Sequence, residues 1–466
     1  MNHRIAWVLA GALGLAAPAQ ALEHYTLPAV DPAAVLAQDA AAGKNDRWRY
    51  AVPVPVQIRT ATHGLWSTRD DGSREWALRV QAPGATSLSF HLSTLRLPAG
   101  GELELRSAQD VQRLGPAQRG ATWTPVLRGD TVDLRLTLPA NASHALTIAT
   151  AFHGFRGFGA KDTVTKSGEC NIDVVCPEGD AWGDEIRSVA RYSIAGAFLC
   201  SGQMVNNTAG DFRPLFLTAN HCVQTPAEGP TLTFYWNYET STCGGTPDGS
   251  LDQTTSGGEV LAGSFLATDY GPDFTLIELG ETPPAEYGVY WAGWDNRDYA
   301  PVGVSTIHHP AGDEKRISFY FGQTEITAYL EEEGQADLLG QVDTHLRIED
   351  WDLGTTEGGS SGSGLWTLDG RHIVGQLSGG FASCTSPTAD WYGRMHTNWF
   401  GFPGELTSLA THLDPTGSGV EVLDGADPAA PAAPEAEARA QAAGRSGALG
   451  GLALLTLLLL GARRRA

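Results

Sequence analysis

Apolar and polar residues alternate along much of the first third of the chain. Leu88, Phe90 and Leu92 stand two apart, as do Val132, Leu134, Leu136 and Leu138, the period of a strand with one buried face. Turn formers such as Asp71-Gly72 and Pro98-Ala99-Gly100-Gly101 separate these runs. The pattern predicts a β-rich, sandwich-like segment over 22–166 with no reactive constellation. Its end, Gly154 to Gly168, is glycine-rich and polar and carries Lys161 and Lys166; it reads as an exposed connector open to proteolysis. From Cys170 to about Leu413 short apolar stretches alternate with Gly, Pro and Asn turns, without long helical periods. That length suits a large all-β domain or a pair of barrels, with boundaries at 167–415.

Both ends depart from this pattern. Residues 1–21 combine Arg4, an apolar run from Ile5 to Ala17 and the small-x-small triplet Ala19-Gln20-Ala21, which predicts a signal peptide and export. After Pro415, residues 416–443 form an Ala/Pro/Glu-rich linker, a composition that predicts an unstructured segment. Residues 444–466 run from Gly444-Arg445-Ser446-Gly447 through an apolar stretch, Ala448–Ala462, to Arg463-Arg464-Arg465. The stretch is shorter than the ~20 residues of a usual spanning helix. It resembles the Gly/Ser-hydrophobic-Arg sorting tails of exported bacterial proteins, implying transient membrane insertion, processing, and a final place at the cell surface or outside.

Charge and cysteine content narrow the function classes. The net charge is 31 − 53 = −22, which argues against general nucleic-acid binding. All six cysteines, Cys170, Cys176, Cys200, Cys222, Cys243 and Cys384, lie in one segment. In an exported chain this predicts a disulfide framework rather than a metal site, and spacing alone leaves every pairing open. No cofactor is expected.

The chemistry centres on Glu357-Gly358-Gly359-Ser360-Ser361-Gly362-Ser363-Gly364. Glycines allow backbone N–H groups to converge on one point beside a serine. A serine nucleophile needs a base, and the base an orienting group. The apolar run Pro214–Ala219 leads through Asn220 to His221, followed at once by Cys222. Asp273 opens another apolar run, Phe274–Leu279, with Asp269 as a nearby competitor. Leu365–Leu368 and Arg371–Gly375 flank Asp369-Gly370, a hairpin signal. Folding it places Ser361 roughly opposite Ser378, so Ser378-Gly379-Gly380 should run beside the nucleophile and pair with an extended substrate. The order His…Asp…Ser is that of chymotrypsin-type β-barrel proteases.

A closer resemblance rests on Cys170–Asp180, Leu217–Cys222, Asp273–Leu279, His308-His309-Pro310, Gly359–Ser363 and Tyr392-Gly393-Arg394. Together these resemble the catalytic domain of bacterial lysyl endopeptidases, over Cys170 to about Phe400. The N-terminal segment more loosely resembles that family's prosegment. The resemblance implies an all-β fold, a chymotrypsin-like double β-barrel after a β-sandwich-like prosegment. It implies a His221, Asp273 and Ser361 triad, an oxyanion hole from Gly359 and Ser361, and disulfides Cys170–Cys384, Cys176–Cys243 and Cys200–Cys222. It also implies that Asp390 recognises lysine; a lysine ammonium taken from water needs a charge partner, and Thr355, six residues before the nucleophile, supplies none. The expected partners are protein or peptide substrates and the chain's own prosegment.

Two departures from the family are visible. Ser378 stands where the family has a histidine before Gly-Gly, with no clear counterpart of the tryptophan that stacks on it. Gly364 replaces a usual proline. Ser360, just before the nucleophile, cannot form the ion pair that activates chymotrypsin. The chain has four lysines, Lys44, Lys161, Lys166 and Lys315, two of them in the connector, so self-cleavage would start the mature protein at Asp162 or Ser167. Alternative readings are an Arg or mixed basic specificity and, from another class, a non-catalytic surface-binding protein on a protease scaffold.

Overall fold

The computed structural model describes residues 22–42, 47–156, 158, 167–264, 271–330, 343–386, 388–401 and 408–429. The stretch expected to be a signal peptide, the connector lysines, Asp269, most of the 416–443 linker and the segment expected to be a sorting tail lie outside them. All but the last two described residues belong to one compact unit ending at Asp427.

The alternating N-terminal pattern becomes two sheets. One, of six strands, includes Arg74–Gln81 and Thr131–Leu138; the other, of five, is centred on Ser87–Arg96 and Ala145–Gly154. Leu88, Phe90 and Leu92 from one sheet and Val132, Leu134, Leu136 and Leu138 from the other are fully buried in a shared core with Trp76 and Ile148. Period-2 alternation thus sets the inner face of each sheet, as in a sandwich. A helix, Pro32–Ala42, interrupts the β pattern. Asp31 caps it, its carboxylate accepting the N–H of Ala33 at 3.0 Å, and Pro32 fills the first turn, where a missing N–H costs nothing.

The remainder is built from two further sheets, of eight and ten strands. In the first, Val189–Ile194, Phe198–Met204, Leu215–Ala219 and Phe274–Leu279 follow one another as neighbours around Tyr192, Phe216, Phe234 and Trp236. In the second, the order runs Arg316–Gln323, Val302–His308, Gly364–Thr367, Ile373–Gly380, Asp390–Arg394, His345–Ile348, around Val304, Leu346, Leu365 and Tyr392. Leu215, Leu217, Leu276, Ile307 and Trp366 pack together where the two sheets meet. This is the all-β, two-barrel arrangement expected from the sequence, behind an N-terminal β domain. Three disulfides fasten it: Cys170–Cys384, Cys176–Cys243 and Cys200–Cys222.

One strand crosses the boundary between the two parts. Trp48–Arg49, from the N-terminal segment, pairs antiparallel with Phe198–Leu199 of the first barrel. Beside it Tyr50, Val126, Phe152 and Phe158 share a core with Leu199, Tyr235, Tyr238 and Leu251. The fully buried Arg191 lies between the rings of Phe158 and Tyr238, 4.0 and 3.8 Å from their centroids, where stacking replaces part of the lost hydration of the cation.

Candidate active site

Strand register brings the candidate base and acid together. Leu215–Ala219 and Phe274–Leu279 pair antiparallel with Ala219 opposite Phe274, so the residues just beyond them, Asn220-His221 and Asp273, meet at the barrel's open end. The Asp273 carboxylate accepts His221 Nδ1–H at 2.7 Å and the His221 backbone N–H, also at 2.7 Å. A base held by its Nδ1 keeps Nε2 for proton transfer. Asp273 adopts φ 54°, a left-handed conformation that Asp tolerates better than most residues. Its carbonyl is held by the Asn220 N–H at 3.0 Å and by Gln376 Nε2 at 3.2 Å. The Cys200–Cys222 bridge adjoins the imidazole. These three residues cluster closely enough for a metal, but sulfurs bonded to each other offer no thiolate ligand.

Ser361 reaches the same place from the second barrel. Its carbonyl accepts the N–H of Ser201, at 2.9 Å, from the first barrel. At Gly362, φ is 83°, and a side chain would collide with Thr218, Ser201 and Ala219, so glycine lets the turn sit against the strand that leads to His221. Among the described residues, Ser361 Oγ makes no hydrogen bond to His221. The turn's N–H groups divide into two sets. Those of Ser360, Gly362 and Ser363 donate to Glu357, Leu377 and Ser360 carbonyls at 2.9–3.0 Å. Those of Gly359 and Ser361 donate to no acceptor among the described residues. Gly359, at φ 95°, is the residue that turns its peptide this way. Its carbonyl accepts Ser201 Oγ–H at 2.9 Å, and the Gly358 carbonyl accepts the Ala311 N–H at 2.6 Å, so the loop is fixed from behind. Two buried donors without acceptors are costly to leave unpaired and are suited to an oxyanion.

The hairpin about Asp369-Gly370 forms, with a register shift between Leu365 and Trp366 that puts Gly364 opposite Gln376. The irregularity displaces the simple pairing by one residue. Ser378, Gly379 and Gly380 continue past the end of that pairing, and Gly379 and Gly380 lie opposite Trp391 and Asp390. The fully buried Asp390 carboxylate accepts Trp351 Nε1–H at 2.9 Å and Thr356 Oγ1–H at 2.6 Å. The sequence singles out Asp390 but neither of these donors.

Nor does it single out His345. Ser378 Oγ lies 3.1 Å from His345 Nε2, and His345 Nδ1 lies 2.9 Å from Thr344 Oγ1. Tyr329 packs against that imidazole, ring centroids 5.1 Å apart. Burial drives the His345 pKa down to about 4 against a smaller opposing pull from Asp273. An imidazole with an aromatic neighbour is therefore present beside Ser378, supplied by another strand. Its only sequence signal is the alternation Thr344–Ile348, which marks a strand and says nothing of chemistry.

The N-terminal segment reaches this site. Arg47 Nε donates to the His221 carbonyl at 3.0 Å, and its two terminal nitrogens grip Glu228 at 2.6 and 2.9 Å. Trp48 lies where a side chain at Gly358 would fall.

Comparison with known proteins gives this arrangement a family. Residues 164–393 match the family model described as lysyl endopeptidase, C-terminal domain, and residues 37–149 match the lysyl endopeptidase N-terminal domain. A lysyl endopeptidase of Pseudomonas aeruginosa is 31% identical over 410 residues, covering 78% of this chain and 81% of that protein. Similar solved structures include a thermostable serine protease, AL20, from an extremophilic microorganism (16% identity, 46% of this chain and 93% of that one, TM-score 0.33). A Glu endopeptidase is similar at 15% identity, over 50% of this chain and 94% of that one, with TM-score 0.31. The chain belongs to the lysyl endopeptidase family of serine endopeptidases.

Proposed function

We propose that the chain is a secreted enzyme that hydrolyses peptide bonds on the carboxyl side of lysine, with His221, Asp273 and Ser361 as its triad. The observation that carries the catalytic assignment is the pair of unengaged donors, Gly359 N–H and Ser361 N–H, on the loop of Ser361. His221 takes the Ser361 proton as Oγ attacks the carbonyl carbon, and Asp273 holds the imidazole tautomer and offsets its positive charge. The two N–H groups receive the developing oxyanion. His221 then protonates the leaving amine, and water repeats the sequence on the acyl-enzyme.

Lysine preference is supported by Asp390, a buried carboxylate on the strand beside Ser378-Gly379-Gly380. Trp351 and Thr356 both bind Oδ2 and so fix the carboxylate's orientation. Export is supported by the leader-like start and the three disulfides. The N-terminal domain acts as the enzyme's prosegment, contacting the His221 carbonyl through Arg47.

A fluorophosphonate probe should label Ser361, and digestion of a denatured protein should yield peptides ending in lysine. Labelling with peptides ending in arginine would move the specificity to mixed or Arg-directed cleavage. A probe-inert chain would make it a binding protein on a protease scaffold.

A further inference from the structure

The chain lacks an acid at position 360, yet the loop of Ser361 does engage the start of the catalytic domain. Both Glu357 carboxylate oxygens accept the Gly168 N–H, at 3.2 and 3.1 Å. The Asp313 carboxylate accepts Ser167 Oγ–H at 2.7 Å. Gly168 fits because it has no side chain: a Cβ there would strike Cys384 Sγ and crowd Glu357. The Cys170–Cys384 bridge, two residues on, ties this segment down.

Among the described residues, the surroundings hold more negative than positive charge. Asp173, Asp313 and Glu357 surround one cation, Arg316, which pairs with Asp173 and Asp313 and is attracted to Glu357. Glu314, next to Asp313, is buried, and one of its carboxylate oxygens has no partner among the described residues. Burial, reinforced by Asp313, raises its pKa to about 8. Lys315 points elsewhere, to the Ile186 carbonyl and Glu239. A further cation here would meet carboxylates already in place.

We propose that hydrolysis of the Lys166–Ser167 bond creates an α-ammonium on Ser167 that is received by Asp313 and Glu357, anchoring the loop that carries the nucleophile. The inference rests on the lysine specificity proposed above. Water supplies the hydroxyl that ends on the Lys166 carbonyl carbon; the C–N bond breaks, and the amine takes up protons to become –NH₃⁺. That nitrogen belongs to the residue whose hydroxyl contacts Asp313, and it lies within one residue's reach, at most ~3.6 Å, of the Gly168 nitrogen. The new charge appears beside carboxylates that already hold Ser167 Oγ–H and the Gly168 N–H. It acts on the oxyanion donors through Glu357, whose backbone N–H donates to Ser360 Oγ at 3.1 Å; that oxygen lies 2.7 Å from His308 Nδ1. Ser360 thus occupies the position of the activating aspartate, and the charge contact is moved to Glu357 and Asp313 in the loops on either side. Both are positioning residues.

The test uses the enzyme matured from the full chain. Intact mass and N-terminal sequencing should give Ser167 as its first residue. Competitive acetylation across pH, read by mass spectrometry, should place the α-amine pKa at least about one unit above the usual 7.7–8.0. In Glu357→Gln it should fall back toward that range, and kcat/KM should drop about tenfold, with KM little changed. A start at Asp162 would refute the ion pair while leaving lysine specificity standing; a start after a residue other than lysine would refute both. A Ser167 start with an ordinary α-amine pKa would refute the ion pair alone. Because that titration is made on the unsubstituted enzyme, the proposal stays falsifiable even if Glu357→Gln does not fold.

Discussion

The N-terminal sandwich and the double barrel are both built from strands, but they bury different things. The sandwich core is almost wholly apolar; among the described residues, its buried polar or charged ones are Glu75, Ser87, Ser89, Asp110, Thr124 and His153. The barrels bury Arg191, Lys315, Asp390, His308, His309, His345 and a long series of serines and threonines. Apolar burial supplies most of the drive to fold and is non-directional. Most buried polar groups find a partner, and that requirement fixes geometry. The sandwich therefore needs only the correct pattern, whereas the barrels need particular residues at particular places.

Substitutions in the two regions should separate these roles. Ser361→Ala should have the largest effect, lowering turnover by ~10⁴-fold or more with no change in unfolding midpoint when both proteins start at the same residue, as measured by peptide hydrolysis and urea titration. Asp390→Asn should lower kcat/KM for lysine substrates about 10²–10³-fold and leave cleavage after uncharged residues nearly unchanged. Equal losses for both substrates would remove Asp390 from the specificity pocket. Leu134→Ala, in the sandwich, should cost about 2–5 kcal/mol when the full chain is unfolded in a Ser361→Ala background. The turnover of enzyme that has already matured should not change; a fall would tie the sandwich core to catalysis.

A further effect is on acid stability. The His345 pKa of about 4 lies below the ordinary 6.5, so between those values the unfolded chain binds more protons than the folded one. The stabilisation is complete above about pH 6.5 and is lost as pH falls toward 4, by about 3 kcal/mol. His309, buried near Lys315 and Arg191, acts in the same direction. Stability curves should therefore fall between pH 6.5 and 4, and less steeply in His345→Gln. Parallel curves for the two proteins would show that His345 is not held neutral.

Legibility in the sequence follows the same division. The sandwich strands were readable because alternation is local: Leu88, Phe90, Leu92 and the Val132–Leu138 series are buried as their spacing requires. His221, Asp273 and Ser361 could be singled out because each stands beside a strand end or a glycine turn. His345 could not, since only its placement next to Ser378, 33 residues on, gives it meaning. The two-residue strand Trp48–Arg49 was equally invisible, because too few residues pair for any pattern to show. The glycine at 168 looked like connector, yet its lack of a side chain is what admits Glu357 and Cys384.

The Cys170–Cys384 bridge, spanning 214 residues, acts as a tether. Closing so long a loop by chance carries a large entropic cost, whereas the bridge keeps Gly168 within a short leash of Glu357 at an effective concentration in the millimolar range or above. In a reducing compartment the tether is absent. The residues before Ile172 would then hang from the short strand Ile172–Asp173, paired with Arg316–Ile317, and from the polar contacts of Ser167 and Gly168. Hydrogen exchange at Gly168 should accordingly be slow in the oxidised protein and fast after reduction. Unchanged exchange would mean that the segment holds itself in place. On this reading the bridge ties the order of the few residues beside the Ser361 loop to the redox state of the surroundings.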